Sequence, residues 1–153
     1  MEQKRMEAVQ SGAALPPEMI ETLITTALKM RERAYCPYSV YSVGAALLTN
    51  SGKIYGGCNI ENAAYPDTVC GERTAIFKAI SEGECAFVAI AVAGGRSETP
   101  EGYSVPCGSC RQVMNEFCDP DDFTIVVAKS TEEYKVFTLR DLLPESFSPA
   151  ALV

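Results

Sequence analysis

One apolar run constrains the fold more than any other feature of this sequence. Residues 87–93 are all apolar (FVAIAVA), and two glycines follow them. A run of this kind predicts a strand that is buried on both faces of a sheet, because a strand with one solvated face alternates apolar and polar residues. Other elements of the chain must therefore cover both faces of that sheet.

The rest of the chain divides into helical and strand-like segments. Predicted helices run from Pro16-Pro17 to before Cys36 and over residues 70–81, 107–117 and 139–143, and predicted strands cover residues 43–49, 53–59, 87–93, 123–128 and 134–138. Asp67 or Thr68 could cap the second helix. The link between the last two strands, residues 129–133, is too short for a parallel crossover, so this pair is predicted to be antiparallel.

This order of elements predicts an α/β fold in which one sheet carries helices on its faces. The 153 residues suit one domain, residues 1–153, in which the mixed and polar residues 1–16 are expected to be flexible. With 47% apolar residues, the chain can bury a core without disulfides.

Charge and hydropathy argue against several classes of function. The net charge of −7 disfavours a polynucleotide partner, because phosphate backbones are bound mainly by Lys and Arg. No apolar run approaches the roughly 20 residues of a transmembrane helix, and the first ten residues lack the apolar segment of a secretory signal. We therefore expect a cytoplasmic protein with no nucleic-acid or membrane partner, acting on a small ligand.

The chain has seven cysteines and no histidine. Without imidazole, serine-histidine and cysteine-histidine hydrolase mechanisms lose their usual base. An odd number of cysteines in a protein expected to stay reduced argues against a closed disulfide framework. Some of the thiols are therefore expected to act chemically.

Three of the cysteines lie at the predicted starts of helices. Cys70 opens one helix, and Cys107 and Cys110 lie one turn apart at the start of another. The positive end of a helix lowers the pKa of a thiol there. Three thiolates with one position left open for water match a catalytic zinc site. We expect these three side chains to hold one zinc ion per chain.

Charged groups beside these cysteines extend the site. Glu72 follows Cys70 by two residues, where a carboxylate could move protons between water and a substrate. Three thiolates outweigh the charge of a divalent zinc, and an arginine that donates hydrogen bonds to the sulfur atoms would offset the excess. Arg73 and Arg111 both lie beside a ligand, and Arg73 is the preferred partner.

Two other interpretations of the cysteines stay open at this level. The Cys-x-x-Cys at Cys107 and Cys110 could be a redox dithiol, because such pairs occur at helix starts in cytosolic proteins. The cluster could also be a closed structural zinc site, whose fourth ligand would come from Cys36, Cys58, Cys85 or Cys118.

The combination of motifs is more specific than its parts. Zinc-dependent nucleobase deaminases have a His or Cys ligand, a Glu two residues later and a later Pro-Cys-x-x-Cys. Cys70, Glu72 and residues 106–110 follow that pattern. From about Ala34 to Leu152 the chain also resembles the small homotetrameric cytidine deaminases. The resemblance rests on residues 35–39, 43–47, 57–66, 70–75, 106–112 and 142–147.

The resemblance implies zinc-dependent hydrolytic deamination of cytidine and deoxycytidine to uridine and deoxyuridine, a step of pyrimidine salvage. It also implies a three-layer α-β-α sandwich with a five-stranded mixed sheet, and a homotetramer whose active sites are shared between subunits. The resemblance implies that Cys70, Cys107 and Cys110 are the zinc ligands, that Glu72 is the proton shuttle and that Arg73 bonds the thiolates. It implies that Asn59 and Glu61 bind the ribose 3′-hydroxyl and that Tyr41 and Gly71 lie at the base. It also implies that Phe147 packs on the base in a neighbouring subunit and that Tyr65 lies near a subunit contact.

Two residues depart from the family's usual pattern. Gly71 stands where the family has alanine, which loosens the turn. Tyr41 stands where the family has phenylalanine, and its hydroxyl needs a partner. Both bear on substrate preference, so a deaminase of another cytosine nucleoside, such as blasticidin S, is the nearest alternative. The short link 129–133 speaks against the polynucleotide editors of the wider superfamily, which have a helical crossover there.

Overall fold

The computed structural model describes residues 14–152, which form an α/β fold. The helices are α1 (Pro17–Arg31), α2 (Gly71–Ser81), α3 (Gly108–Phe117) and α4 (Leu139–Leu142), and the strands are β1 (Ser42–Thr49), β2 (Ile54–Cys58), β3 (Phe87–Gly95), β4 (Thr124–Ala128) and β5 (Tyr134–Thr138). Each of these elements overlaps a segment predicted from the sequence pattern. No helix among the described residues is long and apolar enough to cross a membrane.

The five strands form one mixed sheet in the order β2-β1-β3-β4-β5. Strand β1 is antiparallel to both β2 and β3, and β3 is parallel to β4. The parallel pair is connected through α3, the kind of crossover that parallel strands require. Strands β4 and β5 are antiparallel, which confirms the prediction made from the short link between them.

Helices cover both faces of the sheet, as the apolar run at residues 87–93 requires. On one face, α1 buries Leu23, Ile24 and Ala27 against β1, β3 and β4. On the other face, α2 and α3 pack on the same sheet through side chains that include Ile76 and Met114. The result is the expected three-layer α-β-α sandwich, in which α2 and α3 share one layer.

Two glycines of the sheet let helices approach the strands closely. A Cβ atom on Gly44 would lie 1.9 Å from the carbonyl oxygen of Ala27 in α1. A Cβ atom on Gly57 would lie 2.4 Å from the carbonyl oxygen of Gly71, at the start of α2. Neither place accepts a side chain without displacement of backbone. Gly57 therefore allows the first turn of α2, which carries Glu72, to rest directly on the sheet.

The third strand is longer than the apolar run predicts. The sequence pattern ends it at Ala93, whereas β3 continues through Gly94 and Gly95. These glycines pair with Val43 and Ser42 of β1, so pairing between strands extends β3 beyond its apolar residues.

The predicted cap of α2 is wrong. Cys70 is the N-cap residue, and no side chain caps the helix. Asp67 and Thr68 instead belong to a short 3₁₀ turn, Tyr65–Asp67, and its end. Asp67 and Thr68 lie too far upstream to cap α2, because the chain is extended at Cys70 before the helix begins.

The predicted flexible segment, residues 1–16, overlaps the described chain only at residues 14–16. Leu15 is buried there and packs in the cluster under α1. The prediction for residues 1–13 lies outside the described residues.

Candidate active site

Two helix starts on the same face of the sheet bring three cysteines together. Cys70 directly precedes α2, Cys107 directly precedes α3, and Cys110 lies in the first turn of α3. Their sulfur atoms all lie within 4.8 Å of one another. Among residues 14–152, no carboxylate or further thiol joins this cluster. The convergence predicted from the sequence is therefore confirmed.

The cluster has the donor atoms and the spacing that zinc requires. A tetrahedral zinc ion with Zn–S bonds of about 2.3 Å places its sulfur ligands about 3.8 Å apart. The Sγ atoms of Cys70 and Cys107 are 3.8 Å apart. Three ligands leave the fourth position open, as in catalytic sites. A closed four-ligand site is not supported, because the cluster does not include Cys36, Cys58, Cys85 or Cys118.

Cys70 and Cys110 have pKa values shifted in opposite directions. A hydrogen bond from Cys110, together with Arg73, lowers the pKa of Cys70 to about 5 despite its partial burial. The same hydrogen bond and burial raise the pKa of Cys110. Because metal ligands must be deprotonated, a divalent cation bound by these thiols would release their protons.

Of the two arginines beside the cysteines, only Arg73 contacts a sulfur atom. Its Nη2 donates to Sγ of Cys70 at 3.4 Å, and its pKa is raised, first by this contact. Its Nε is buried and has no hydrogen-bond partner among the described residues. Arg111 instead donates to the carbonyl oxygens of Pro106 and Leu142, at 2.6 Å each. Arg111 therefore anchors the backbone around α3, and the preference for Arg73 agrees with the structure.

Glu72 is a buried carboxyl group beside the cysteines. It lies in the first turn of α2 and is 4% exposed. Burial is the main reason that its pKa is raised to about 7. A group that titrates near neutral pH can both accept and donate a proton, as a proton shuttle must.

A cavity of about 490 Å³ opens beside these groups. This volume is in the range of small-molecule binding sites. Its lining consists of Ser39, Tyr41, Val43, Asn59, Thr68, Cys70, Glu72, Val92, Tyr103, Ser104, Val105 and Cys107. The lining mixes apolar side chains with hydroxyl, amide and thiol groups and contains neither lysine nor arginine.

Two of the residues expected at the substrate, Asn59 and Tyr41, line this cavity. The Asn59 amide accepts a hydrogen bond from Val43 N and donates one to the Tyr41 carbonyl oxygen, both at 2.8 Å. An amide has further capacity for one donor and one acceptor bond. The Tyr41 hydroxyl, for which the sequence indicated no partner, is hydrogen-bonded to Ser104 Oγ.

Glu61 is not part of the cavity lining. One of its carboxylate oxygens accepts hydrogen bonds from the backbone N–H groups of Tyr38 and Ser39, at 2.9 and 3.2 Å. Hydrogen bonds from Ser39, first from its side chain, hold the pKa of Glu61 below its usual value. Glu61 therefore holds the turn that carries Ser39 and Tyr41 to the cavity.

The structure separates Phe147 from the three-cysteine cluster. Its ring is 62% exposed and lines a different cavity, next to α3. Its carbonyl oxygen accepts hydrogen bonds from Gln112 and Asn115 of α3, at 2.9 and 2.8 Å. Phe147 is thus held on the surface, with its side chain free to contact another molecule.

Gly71 is buried beneath the cavity rather than in its lining. A Cβ atom there would lie 3.2 Å from the carbonyl oxygen of Val43 and 3.4 Å from Asn59 N. An alanine would therefore fit only tightly, and a small movement of β1 would be required.

Several cavity residues were not predicted from the sequence. Tyr103, Ser104 and Val105 come from the loop before α3, and Thr68 comes from the segment before α2. Polar loops carry no periodic signal for these positions. Their closeness to Cys107 and Cys70 along the chain is the only available indication.

Comparison with known proteins agrees with this geometry. Residues 17–127, most of the chain, match the family model of the cytidine and deoxycytidylate deaminase zinc-binding region. The chain belongs to this family. The matched segment includes the three cysteines and Glu72, and it accords with the choice of zinc for the cluster.

Individual relatives support the same assignment. A cytidine deaminase from Sporosarcina psychrophila is 47% identical and covers 84% of this chain and 91% of its own length. One from Halalkalibacterium halodurans is 46% identical over 84% of this chain and 93% of its own. The crystal structure of cytidine deaminase from Burkholderia pseudomallei has a TM-score of 0.75 at 45% identity, covering 82% of this chain and 97% of its own.

Proposed function

We propose that this protein catalyses the hydrolytic deamination of cytidine and deoxycytidine, with water as the co-substrate. Oxygen from water bonds to C4 of the cytosine ring, the exocyclic C4–N bond breaks, and ammonia leaves. The observation that carries the proposal is the three-sulfur cluster with the buried carboxyl group of Glu72 at one cavity. The family relationship supports the same reaction.

A zinc ion held by Cys70, Cys107 and Cys110 would supply Lewis acidity that makes a water molecule acidic near neutral pH. Glu72 accepts the proton that the attacking water loses and donates it to N3 of the base. It then transfers the remaining proton of the added hydroxyl group to the amine, which leaves as ammonia. Arg73 donates to the Cys70 sulfur and offsets the negative charge of three thiolates.

The redox alternative is less well supported than hydrolysis. A dithiol at Cys107 and Cys110 would leave Cys70, whose sulfur is 3.8 Å from that of Cys107, without a function. It would also leave unexplained a buried carboxyl group in the cavity wall. Glu72 and Cys70 both have a role in hydrolysis.

The cavity favours a nucleoside over a nucleotide. Proteins bind phosphate groups mainly through arginine and lysine side chains, and neither residue type lines this cavity. The two helix N-termini at the cavity carry Cys70 and Cys107, the proposed metal ligands. A 5′-monophosphate would therefore enter without a counter-charge, and we expect it to be a poor substrate.

Two cavity residues are proposed to position the nucleoside. Asn59 uses its remaining hydrogen-bonding capacity on the ribose 3′-hydroxyl, and the Tyr41 ring packs on the pyrimidine. Gly71 allows the backbone to approach the base. Glu61 is proposed to act with Asn59 on the ribose 3′-hydroxyl, and its hydrogen bond to the turn at Tyr38 holds that turn beside the cavity.

Phe147 is proposed to complete the site of a neighbouring subunit in a homotetramer. The support is its exposed ring on a fixed tail. A second group of exposed apolar side chains lies around residues 35–40 and 60–65, where Tyr65 is 71% exposed and its ring contacts Tyr38. Large exposed apolar groups of this kind mark interaction surfaces.

We further propose that the enzyme works in the cytoplasm, without nucleic-acid or membrane partners. The seven cysteines are all free thiols, and three of them must remain reduced to bind metal. The acidic net charge of −7 also disfavours polynucleotides.

A substrate panel tests this proposal. The zinc-loaded protein is assayed with cytidine, deoxycytidine, cytidine 5′-monophosphate, free cytosine and blasticidin S, by the absorbance change of the base. We expect the two nucleosides to have kcat/KM values at least tenfold above all others. A preference for the monophosphate or for blasticidin S would contradict the proposed substrate class.

A further inference from the structure

One hydrogen bond in the cavity wall joins segments that are far apart in the chain. The Tyr41 hydroxyl and Ser104 Oγ are hydrogen-bonded to each other. Tyr41 directly precedes β1, whereas Ser104 lies in the loop between β3 and α3. Both residues line the cavity that contains Glu72. This contact therefore links two parts of the wall around the proposed substrate.

The sheet leaves space for this pair at Gly94. A Cβ atom on Gly94 would lie 2.4 Å from Ser104 Oγ and 3.1 Å from Cε1 of Tyr41. Gly94 is paired with Val43, another cavity residue, in the ladder between β1 and β3. The Tyr41 ring and the Ser104 hydroxyl group therefore occupy the space that a side chain at Gly94 would need.

The loop that carries Ser104 is held at both ends by arginines. Arg31 donates to the carbonyl oxygens of Gly95 and Ser97, at 3.2 and 2.9 Å. Arg111 donates to the carbonyl oxygen of Pro106 at 2.6 Å. Residues 103–105 lie between these anchors and line the cavity. The bond to Tyr41 attaches this middle part of the loop to the start of β1.

We propose that Ser104 is a positioning residue for the nucleoside. Its hydrogen bond fixes the plane of the Tyr41 ring and the distance between that ring and residues 103–105. This role rests on the proposed function, in which the Tyr41 ring packs on the pyrimidine. The proton-transfer group Glu72 is held in α2, outside this contact. Loss of the bond therefore weakens substrate binding and leaves the chemical step largely intact.

Steady-state kinetics with cytidine on Ser104→Ala, Tyr41→Phe and the double variant test the role of the bond. Each single change should raise KM about threefold to tenfold, the equivalent of one side-chain hydrogen bond, with kcat within about twofold of wild type. The double variant should raise KM no further than either single change, because both remove the same bond. Ser104→Thr keeps the hydroxyl and should keep KM near the wild-type value.

Matched variants elsewhere separate this role from general stability. Tyr55→Phe and Ser51→Ala remove hydroxyls that bond Glu82 and Glu84, at 3.1 and 2.8 Å. Neither residue lines the cavity, so both variants should keep the wild-type KM. Melting temperatures of all variants are measured on the same samples.

Three results would overturn the role of Ser104: an unchanged KM in the single variants, additive effects in the double variant, or a raised KM in Ser104→Thr. Absence of cytidine turnover by the wild-type protein would instead contradict the proposed function, and the role of Ser104 with it. Normal wild-type turnover combined with any of the first three results would contradict the role of Ser104 alone.

Discussion

The guanidinium of Arg73 donates a hydrogen bond to the sulfur of Cys70, over a distance of 3.4 Å. Cys70 lies three residues earlier in the chain, directly before α2. The contact joins the preferred arginine to a proposed zinc ligand. A partner of this kind orients a ligand and tunes the charge on the metal. The Arg73–Cys70 pair therefore offers a direct way to test whether the cluster is a tuned metal site.

Replacement of Arg73 by Gln should weaken zinc binding about 10- to 100-fold, the usual cost of losing such a partner. Titration against a competing chelator measures the affinity. The matched control is Arg140→Gln, which removes an exposed ion pair with Asp121 and should leave zinc affinity unchanged. Equal affinities in all three proteins would show that Arg73 does not support the metal.

Replacement of Glu72 by Gln should leave zinc content at the wild-type level and lower kcat by at least about 10²- to 10⁴-fold. The amide fills the same buried space, but it cannot take a proton from water. The control is Glu18→Gln, the same change at an exposed residue of α1. Near-normal turnover by the Glu72 variant would remove the proton shuttle from the mechanism.

The contact between Glu61 and the turn at residues 38–39 should make a pH-dependent contribution to stability. The pKa of Glu61 is lowered in the folded protein, so the charged form stabilises the fold above the ordinary glutamate pKa. The contribution is lost as pH falls through the lower, folded value. The melting-temperature difference between wild type and Glu61→Gln should thus be largest near pH 7 and shrink below about pH 4.

Loss of zinc at low pH would affect wild type and Glu61→Gln alike, so their difference isolates Glu61. The same pH series on Glu21→Gln, an exposed position of α1, should show no such trend. A difference that stays constant from pH 7 to pH 3.5 would contradict the charged contact.

Element positions could be predicted from the sequence because they depend on local periodicity. The apolar run at residues 87–93 indicated the buried strand, and the short link 129–133 indicated the antiparallel pairing of β4 and β5. Cys70, Cys107 and Cys110 were predicted to converge because two helix starts carried them.

Features that depend on tertiary contact could not be predicted in this way. Gly94 extends β3 only because β1 lies beside it, and Ser104 becomes a cavity residue only because Tyr41 faces it. The hydrogen bond of Glu61 to the turn at Tyr38 likewise exists only in the folded loop, and its role at the ribose stays a prediction. No local pattern in the sequence carries this information.

The close approach of α1 to β1 should make Gly44 intolerant of a side chain. Gly44→Ala would place a Cβ atom 1.9 Å from the Ala27 carbonyl oxygen, and we expect a loss of more than about 2 kcal/mol in the free energy of unfolding. Gly102→Ala, at a position with open space, should change it by less than about 0.5 kcal/mol. Denaturant unfolding measures both, and comparable stabilities would contradict the close packing.

The most direct test measures zinc content and cytidine turnover on one purified sample, before and after chelation. We expect about one zinc ion per chain, loss of turnover on chelation and recovery when zinc is returned, because all three thiolates serve a single ion. The variant Cys85→Ser, at an exposed thiol outside the cluster, should behave as wild type. Turnover that survives complete removal of the metal, or bound zinc without any turnover of cytidine, would contradict a zinc-dependent cytidine deaminase.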